Sequence, residues 1–205
     1  IKKAKGAGII IQEVERAKLD QIAEGENHQG VIAYVSAYDY VSVKDILDKA
    51  REKNEPPFVI ICDKITDPHN LGAILRTANC VGAHGVIIPK RNSVGLNSVV
   101  AKTSAGAVEY TPVAKVTNIA NTIDSLKDEG LWIAAADMDG QEMYDIDLKG
   151  SLGLVIGSGG GGISRLVREK CDFIASIPMA GEINSLNASV AAGVLMYEAL
   201  RQRRK

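Results

Sequence analysis

The most informative stretch of this chain for its fold class is Ile177-Pro178-Met179-Ala180-Gly181-Glu182-Ile183-Asn184-Ser185-Leu186-Asn187-Ala188-Ser189-Val190. It joins the end of a short apolar strand, a turn with proline and glycine, and a helix start marked by serine and asparagine. A strand that leads through a polar turn into a helix N-terminus is a frequent ligand site in α/β proteins. The turn offers backbone groups, amides and hydroxyls but no metal ligand set, which favours a small polar ligand. The same pattern is equally typical of a well-capped helix without a ligand.

Two further junctions of this kind lie upstream. The segment Leu154–Arg165 runs from an apolar strand through Gly157-Ser158 and four consecutive glycines towards a helix. The segment Asp67–Ala78 follows the apolar run Phe58–Cys62 and begins a helix near Asn70. Because the carboxyl ends of parallel strands lie at one edge of a sheet, the three junctions predict a shared site there.

The order of elements predicts one α/β domain with a parallel sheet and helices on both faces. Continuous apolar strands that alternate with helices are typical of this architecture. We expect strands at 58–62, 85–88, 108–112, 131–135, 152–157 and 173–177, and helices at 44–53, 70–82, 117–129, 163–170 and 185–203, the last capped by Asn184 or Ser185. Before them, strands at 9–14 and 31–35 are predicted around a helix at Ala17–Glu24.

Composition excludes several classes of protein. The 205 residues are 46% hydrophobic and 24% charged, which is typical of a globular domain. No apolar run approaches the roughly 18 residues of a membrane helix, so we expect no membrane association. The three cysteines are far apart and lack a C-x-x-C pair, which argues against disulfides and zinc and favours a reducing cytoplasm.

Taken in order, the three junctions strongly resemble the SpoU/TrmH family of RNA 2′-O-ribose methyltransferases, within the SPOUT superfamily. The most specific motif is I-P-M-x-G-x-x-x-S-L-N-x-S-V-A, which begins at Ile177, and the resemblance runs from about Val59 to Gln202. Upstream, His28-Gln29-Gly30-Val31 with Leu19-Asp20 resembles the linker of the branch that methylates a guanosine of 23S rRNA. The resemblance implies S-adenosylmethionine as cofactor, a C-terminal trefoil knot and a homodimer. The apolar residues Leu186, Val190, Val194, Leu195, Met196 and Leu200 on more than one face of the last helix also favour dimerisation.

The same resemblance implies a division of the chain. Residues 1–40 would be the remnant of an N-terminal RNA-binding domain with its linker, and residues 41–205 the methyltransferase domain. Because the chain begins with Ile1 and the fragment-like Lys2-Lys3-Ala4-Lys5, we expect that an N-terminal portion is missing.

The resemblance also assigns site residues. Asn70, Arg76 and Asn187 would be catalytic, and Gly157, Ile177, Met179, Ser185 and Leu186 would bind the cofactor. From the residues alone, Arg76 is more typical of a solvated helical arginine. Asn70, Ser185 and Asn187 can each be helix caps, an alternative as favoured as ligation for Ser185 and less favoured for Asn187. Because an arginine stays charged, we expect Arg76 to orient the reacting groups and stabilise negative charge rather than to act as a base.

RNA contacts are predicted for Arg165 and Arg168, which follow the glycine loop and could meet phosphates. The formal net charge of −1 and the 4% of aromatic residues are unlike those of a bulk nucleic-acid binder. Sequence recognition of the RNA is therefore expected mainly in the N-terminal part.

The glycine loop departs from the family pattern. Family members carry G-S-E-G-x-G, with a glutamate where this chain has Gly159 and often a lysine or glutamine at position 161. Three functions follow: an RNA 2′-O-ribose methyltransferase whose activity we expect the missing glutamate to lower, an RNA- or cofactor-binding protein with weak or no catalysis, or an α/β nucleotide binder. The last lacks the G-K-[ST] ending that holds phosphates.

Overall fold

The structure, a computed structural model, describes residues 11–33, 38–159 and 161–204. The chain divides into two compact units, Ile1–Ser36 and Ala37–Lys205. In the first unit, helix α1 (Arg16–Ala23) confirms the predicted helix, and Nε2 of His28 lies 2.8 Å from Oδ1 of Asp20. Residues 11–14 and 31–33 are not in strands, contrary to the prediction, and the rest of those two predicted strands lies outside the described residues.

The second unit is a parallel sheet of six strands in the order β3-β2-β1-β5-β4-β6. The strands are β1 (Phe58–Asp63), β2 (Gly85–Pro89), β3 (Val113–Val116), β4 (Trp132–Glu142), β5 (Leu152–Gly157) and β6 (Phe173–Ser176). The helices are α2 (Val43–Glu52), α3 (Pro68–Cys80), α4 (Ser98–Thr103), α5 (Ile119–Asp128), α6 (Arg165–Lys170) and α7 (Ala188–Arg203). Short 3-10 turns lie at Ala107–Glu109 and Met143–Asp145.

Alternation along the strands explains why helices cover both faces. In β1, Phe58, Ile60 and Cys62 join the core under α3, α4 and α7. Val59 and Ile61 point the other way, into the core under α2, α5 and α6. A strand buried on both faces is apolar along most of its length, and in β1 residues 58–62 are apolar and buried, while the buried Asp63 ends the strand. The predicted doubly covered parallel sheet is therefore confirmed.

The third strand corrects one prediction. The strand expected at 108–112 is instead a 3-10 turn, and β3 begins at Val113. Ala105 and Gly106 adopt left-handed φ angles of 51° and 83°, and the amide of Thr111 then donates to the carbonyl of Ala107 at 2.9 Å. The six-residue helix α4 was not predicted.

Two helix caps also differ from the predictions. Helix α7 is capped by Asn187, not by Asn184 or Ser185, because Oδ1 of Asn187 accepts from the amide of Ser189 at 2.9 Å. Helix α3 begins at Pro68 and is capped by Asp67, so Asn70 lies inside its first turn. Proline at the first helical position loses no hydrogen bond, which explains the earlier start. Among the described residues, no helix is long and apolar enough to cross a membrane.

Candidate active site

A cleft of about 580 Å³ opens at the carboxyl ends of β4, β5 and β6. Three segments frame it: the glycine loop after β5, the segment after β6, and the last part of β4. Its apolar floor is formed by the buried Ile156, Ala175 and Leu195. Two of the three predicted junctions therefore meet in one place, as their position at the ends of parallel strands led us to expect.

The glycine loop contains positions that require glycine and positions that do not. A Cβ at Gly157 would lie 2.5 Å from the backbone carbon of Gly162, and Gly162 itself has a φ of +58°. The amide of Gly162 donates to the carbonyl of Ser158 at 2.8 Å, which closes the loop. A Cβ at Gly159, in contrast, would meet only the amide nitrogen of Ala188, at 3.7 Å. Gly157 and Gly162 therefore shape the loop, and Gly159 has room for a side chain.

All five residues that were predicted to bind the cofactor line this cleft: Gly157, Ile177, Met179, Ser185 and Leu186. Asn187, between the lining residues Leu186 and Ala188, is not itself part of the lining. Its Oδ1 is engaged in the cap of α7, with the hydroxyl of Ser189 donating at 2.7 Å. The structure therefore shows the capping role of Asn187, and its catalytic role stays a prediction.

The cleft includes acidic residues that sequence reasoning missed. Asp137, Asp139 and Glu142, from the last part of β4, line it together with Met138. The pairing of β4 with β6 is interrupted between Ala136 and Gln141, and such a bulge turns the intervening side chains away from the ladder. The signal was present in the sequence, since Ala136-Asp137-Met138-Asp139-Gly140 is a strand end followed by a polar turn.

The other two predicted catalytic residues do not line the cleft. Asn70 lies half-buried in the first turn of α3, and Arg76 lies exposed on the same helix. Helix α3 packs against α7, where a Cβ on Gly193 would lie 3.9 Å from Cγ2 of Thr77. Arg76 thus lies on a helix that packs against α7, which borders the cleft, but Arg76 does not line the cleft of its own chain.

The predicted RNA contacts are engaged with carboxylates. Nε of Arg165 lies 2.7 Å from Oε1 of Glu169, and the Arg165 side chain is 92% exposed. Arg168 forms an ion pair with Asp137, a lining residue of the cleft. Each ion pair uses one nitrogen of its guanidinium, so a carboxylate offsets the charge of each arginine while other N–H donors are left for a phosphate.

Asp63, Cys62 and Cys171 do not line the cleft. Oδ2 of Asp63, the last residue of β1, accepts from the amide of Ser164 at 2.7 Å and so fixes the start of α6. Burial raises the pKa of the Cys62 thiol to about 12, and burial likewise raises that of Cys171 to about 12. Neither thiol is a nucleophile near neutral pH, because the thiolate is the reactive form.

Comparison with known proteins agrees with these features. The profile of the SpoU rRNA Methylase family matches residues 57–197, and that of the RNA 2′-O ribose methyltransferase substrate-binding family matches residues 1–41. A Bacillus subtilis protein named YacO, a TrmH-family tRNA/rRNA methyltransferase, is 54% identical over 99% of this chain and 82% of its own length.

Solved structures of similar fold carry the cofactor. The SpoU methyltransferase AviRb from Streptomyces viridochromogenes, in complex with AdoMet (S-adenosylmethionine), matches 74% of this chain with a TM-score of 0.69 and 32% identity. This match spans 60% of the AviRb chain. An AdoMet-bound rRNA methyltransferase from Sinorhizobium meliloti matches 98% of this chain and 75% of its own, with a TM-score of 0.69 and 25% identity. The chain therefore belongs to the SpoU/TrmH family of AdoMet-dependent RNA methyltransferases.

Proposed function

We propose that this protein transfers the methyl group of AdoMet to a ribose 2′-oxygen of RNA, with a guanosine of 23S rRNA as the target, in the cytoplasm. The observation that carries the proposal is the convergence of all five predicted cofactor residues on one cleft at the sheet edge. The N-terminal match to a 2′-O-ribose substrate-binding family supports the choice of ribose over base. The linker residues His28-Gln29-Gly30-Val31 support the 23S rRNA branch.

The cleft fits AdoMet in shape and charge. Its volume is within the roughly 300–1,000 Å³ of typical small-molecule sites. The backbone at Gly157, Ile177 and Leu186 would hold the adenosine, with Met179 and Ser185 beside it. AdoMet has a net positive charge because its sulfonium and ammonium groups outnumber its one carboxylate. The lining contains three carboxylates, of which Asp137 is paired with Arg168, and no lysine or arginine among the described residues. Opposite charges in a partly desolvated cleft favour the cationic donor.

The chemistry sets modest demands on the protein. AdoMet supplies an activated methyl group whose departure requires no proton on the leaving thioether. The chain must hold the 2′-oxygen in line with the methyl carbon, as the O–C bond forms and the S–C bond breaks, and stabilise the negative charge that develops as the 2′-hydroxyl releases its proton to water. We assign charge stabilisation to the guanidinium of Arg76, and orientation of the ribose to the amides of Asn70 and Asn187.

We also propose a homodimer, because Arg76 does not line the cleft of its own chain and could reach the cleft of a second copy. Leu195 and Met196 are fully buried in the core of their own chain, so they no longer support a dimer. Val190 and Tyr197, one heptad apart on α7, are 50% and 53% exposed. We propose that this face of α7, with the adjoining α3, pairs with a second copy and brings Arg76 of one copy to the cleft of the other. Sedimentation of only a 21.8 kDa species at micromolar concentration would contradict the dimer.

We also propose that the C-terminal segment forms a trefoil knot. After the edge strand β6, the chain passes through residues 177–187 and returns to α7, which contacts β4, β5 and α3. Knots are rare in proteins, so the family resemblance is the main support. A backbone trace that pulls straight from both ends would contradict the knot.

RNA binding is proposed for two parts of the chain. Residues 1–40 would belong to an N-terminal RNA-binding domain with its linker, and residues 41–205 to the methyltransferase domain. Arg165 and Arg168 would contact RNA by exchanging Glu169 and Asp137 for phosphates.

Mapping of ribose methylation in rRNA, with and without the protein, tests the function. We expect one guanosine of 23S rRNA to lose its 2′-O-methyl group when the protein is absent and to regain it when the purified protein and AdoMet are added. The alternative function, binding with weak or no catalysis, is favoured by the empty space at Gly159, where the family has a glutamate. Binding of AdoMet and RNA without incorporation of labelled methyl would support that alternative.

A further inference from the structure

Four basic residues lie near the carboxyl ends of β1 and β2, the half of the sheet edge that adjoins the cleft. Lys64 directly follows the last residue of β1, Lys90 and Arg91 directly follow β2, and Lys102 lies on α4. All four are exposed. Across the described ranges 11–33, 38–159 and 161–204, no carboxylate forms an ion pair with any of them. We call these four residues the edge cations.

The backbone that carries the edge cations is fixed by hydrogen bonds. The amide of Lys90 donates to the carbonyl of Val116 at 2.8 Å. Further along the same loop, the amide of Val94 donates to the carbonyl of Ile65 at 2.9 Å, next to Lys64. The amide of Leu96 donates to the Tyr40 hydroxyl at 2.8 Å. The backbone of the edge cations is therefore ordered before a ligand binds, and a ligand needs to order only their side chains.

Helix α4 belongs to the same surface. Its last residue, Thr103, approaches Nδ1 of His69 in the first turn of α3 at 3.4 Å. A Cβ on Gly72 would lie 2.6 Å from Cβ of Thr103, so the two helices touch closely. Lys102 precedes this contact and is thereby held near the carboxyl end of β1, where α3 begins.

Asp63 and Asp67, the carboxylates next to Lys64 in the chain, keep their charges but pair with none of the four edge cations. Asp63 is buried and accepts from the amide of Ser164, and Asp67 caps α3. In the cleft half, the opposite holds: Asp139 and Glu142 line the cleft, and the nearby Arg168 is neutralised by Asp137. An anionic polymer is therefore attracted to the edge cations and repelled by the cleft.

We propose that the edge cations bind the phosphates that flank the target nucleotide, an inference that rests on the proposed RNA methyltransferase function. Gly157 of the cleft pairs with Asp63, the neighbour of Lys64. Since strands lie about 4.8 Å apart, the end of β1 is one step from Gly157 and the end of β2 is two, about 10 Å. A ribose at the mouth of the cleft then has its neighbouring phosphates within reach of these side chains. Such contacts set the register of the RNA and do not read its sequence.

The test compares two variants that each remove two positive charges. Lys90→Gln with Arg91→Gln removes two edge cations. Lys53→Gln with Lys149→Gln removes two exposed lysines from the opposite edge, which precede β1 and β5. The full chain is titrated with an unmodified 23S rRNA transcript at several salt concentrations, and methyl transfer is measured as a function of RNA concentration.

We expect the edge variant to raise KM for RNA and leave kcat at saturating RNA unchanged, while the control variant behaves as the wild type. Between about 50 and 200 mM salt, the wild type should lose about tenfold more affinity than the edge variant, at roughly threefold per phosphate contact. Equal KM values and equal salt slopes in the edge variant and the wild type would overturn the inference. An equal loss in both variants would also overturn it, because only total charge would then matter.

Failure of the proposed function is distinguishable from failure of this inference. If the wild type transfers no methyl group to any rRNA, the proposed function fails, and the salt slopes of direct RNA binding still decide the role of the edge cations. If the wild type binds no RNA, both fail. If the wild type methylates RNA with a KM that the edge variant shares, only the inference fails. Tight binding of an acidic peptide with no RNA affinity would contradict both proposals.

Discussion

The two halves of the carboxyl edge of the sheet differ in charge although they belong to one continuous set of parallel strands. Over β4, β5 and β6 the cleft is lined by Asp137, Asp139 and Glu142, and its floor is apolar. Over β1 and β2 the edge cations Lys64 and Lys90, with Arg91 and Lys102, have no carboxylate partners among the described residues. One sheet edge can therefore attract the cationic methyl donor and the anionic RNA to different places before any specific contact forms.

This separation depends on how the acidic and basic groups are paired, and not on their number. The chain contains 24 basic and 25 acidic residues, so its net charge gives no sign of a nucleic-acid surface. Around α6 the cations are neutralised, as Lys170 is by Asp124 at 2.5 Å. Exposed ion pairs contribute little to stability, so their main effect here is on the local field.

Arg76 belongs to neither half, and replacing it offers the largest effect. Arg76→Ala should lower methyl transfer by about 10² or more, because a contact made to the developing charge is lost. Affinity for AdoMet should be nearly unchanged, since Arg76 does not line the cleft. Single-turnover methyl transfer and calorimetric titration of AdoMet measure the two quantities. Normal turnover would remove Arg76 from the mechanism.

Mixing two inactive variants decides whether Arg76 acts across a dimer. Arg76→Ala and Gly157→Val are expected to be inactive alone, since the latter places side-chain atoms against the backbone of Gly162. If Arg76 of one copy serves the cleft of the other, mixed dimers contain one intact site and regain part of the activity. No recovery in a sample where subunit exchange has been verified would place Arg76 in its own chain's site.

Gly159 tests whether the cleft half is complete. A side chain at this position has room, so Gly159→Glu should fold normally. It should raise turnover severalfold, because a carboxylate at this position can fix neighbouring groups that in-line transfer needs aligned. Gly159→Ala is the matched control, since it stiffens the loop without a carboxylate. Unchanged or lower activity in Gly159→Glu, alone or with Gly161→Lys, would show that the glycines suit this protein's mechanism.

The smallest expected effect concerns His84, which lies at the amino ends of the strands and should make stability depend on pH. Its Nδ1 accepts from the amide of Phe58 at 2.9 Å, so Nε2, which lies 2.9 Å from Glu55, carries the proton of the neutral ring. Burial lowers the pKa of His84, against the opposing effect of Glu55. The folded state therefore disfavours the imidazolium, and stability that is present above pH about 6.5 is lost as the pH falls below it.

The matched variant for this pH effect is His84→Gln, which keeps an acceptor for the Phe58 amide but does not titrate. From pH 7.5 to 5.5 the Tm of the wild type should fall further than that of His84→Gln, by about 2–4 °C for each kcal/mol lost. Thermal unfolding followed by circular dichroism measures the difference. Identical pH profiles would contradict the role of His84, and a change in AdoMet or RNA affinity in the variant would mean that the two edges are not independent.

Much of the fold could be predicted because buried parallel strands are continuously apolar. Residues 58–62 of β1 and 152–156 of β5 are examples. The strand prediction failed at 108–112, because Ala105, just before this segment, has a left-handed conformation that its sequence context does not reveal. Helix α4 was missed because six residues are too few to establish a helical period.

The site was predictable to the extent that its residues follow strands directly. Gly157 is the last residue of β5 and Ile177 directly follows β6, and both line the cleft. The pairing of Arg168 with Asp137 joins residues 31 positions apart and could not be predicted from local pattern. For the same reason the edge cations could not be distinguished from the paired cations of α6. Pairing is a property of the folded chain, whereas position at a strand end is visible in the sequence.

Reciprocal titration tests most directly whether the two halves bind different ligands. AdoMet and an unmodified 23S rRNA transcript are titrated separately into the wild type, Gly157→Val and Lys90→Gln/Arg91→Gln, with Leu186→Asp as a second cleft variant and circular dichroism to verify folding. The cleft variants should lose about tenfold or more in AdoMet affinity and keep their RNA affinity. The edge variant should lose RNA affinity and keep its AdoMet affinity. If folded cleft and edge variants weaken both ligands alike, the division of the sheet edge between cofactor and RNA is wrong.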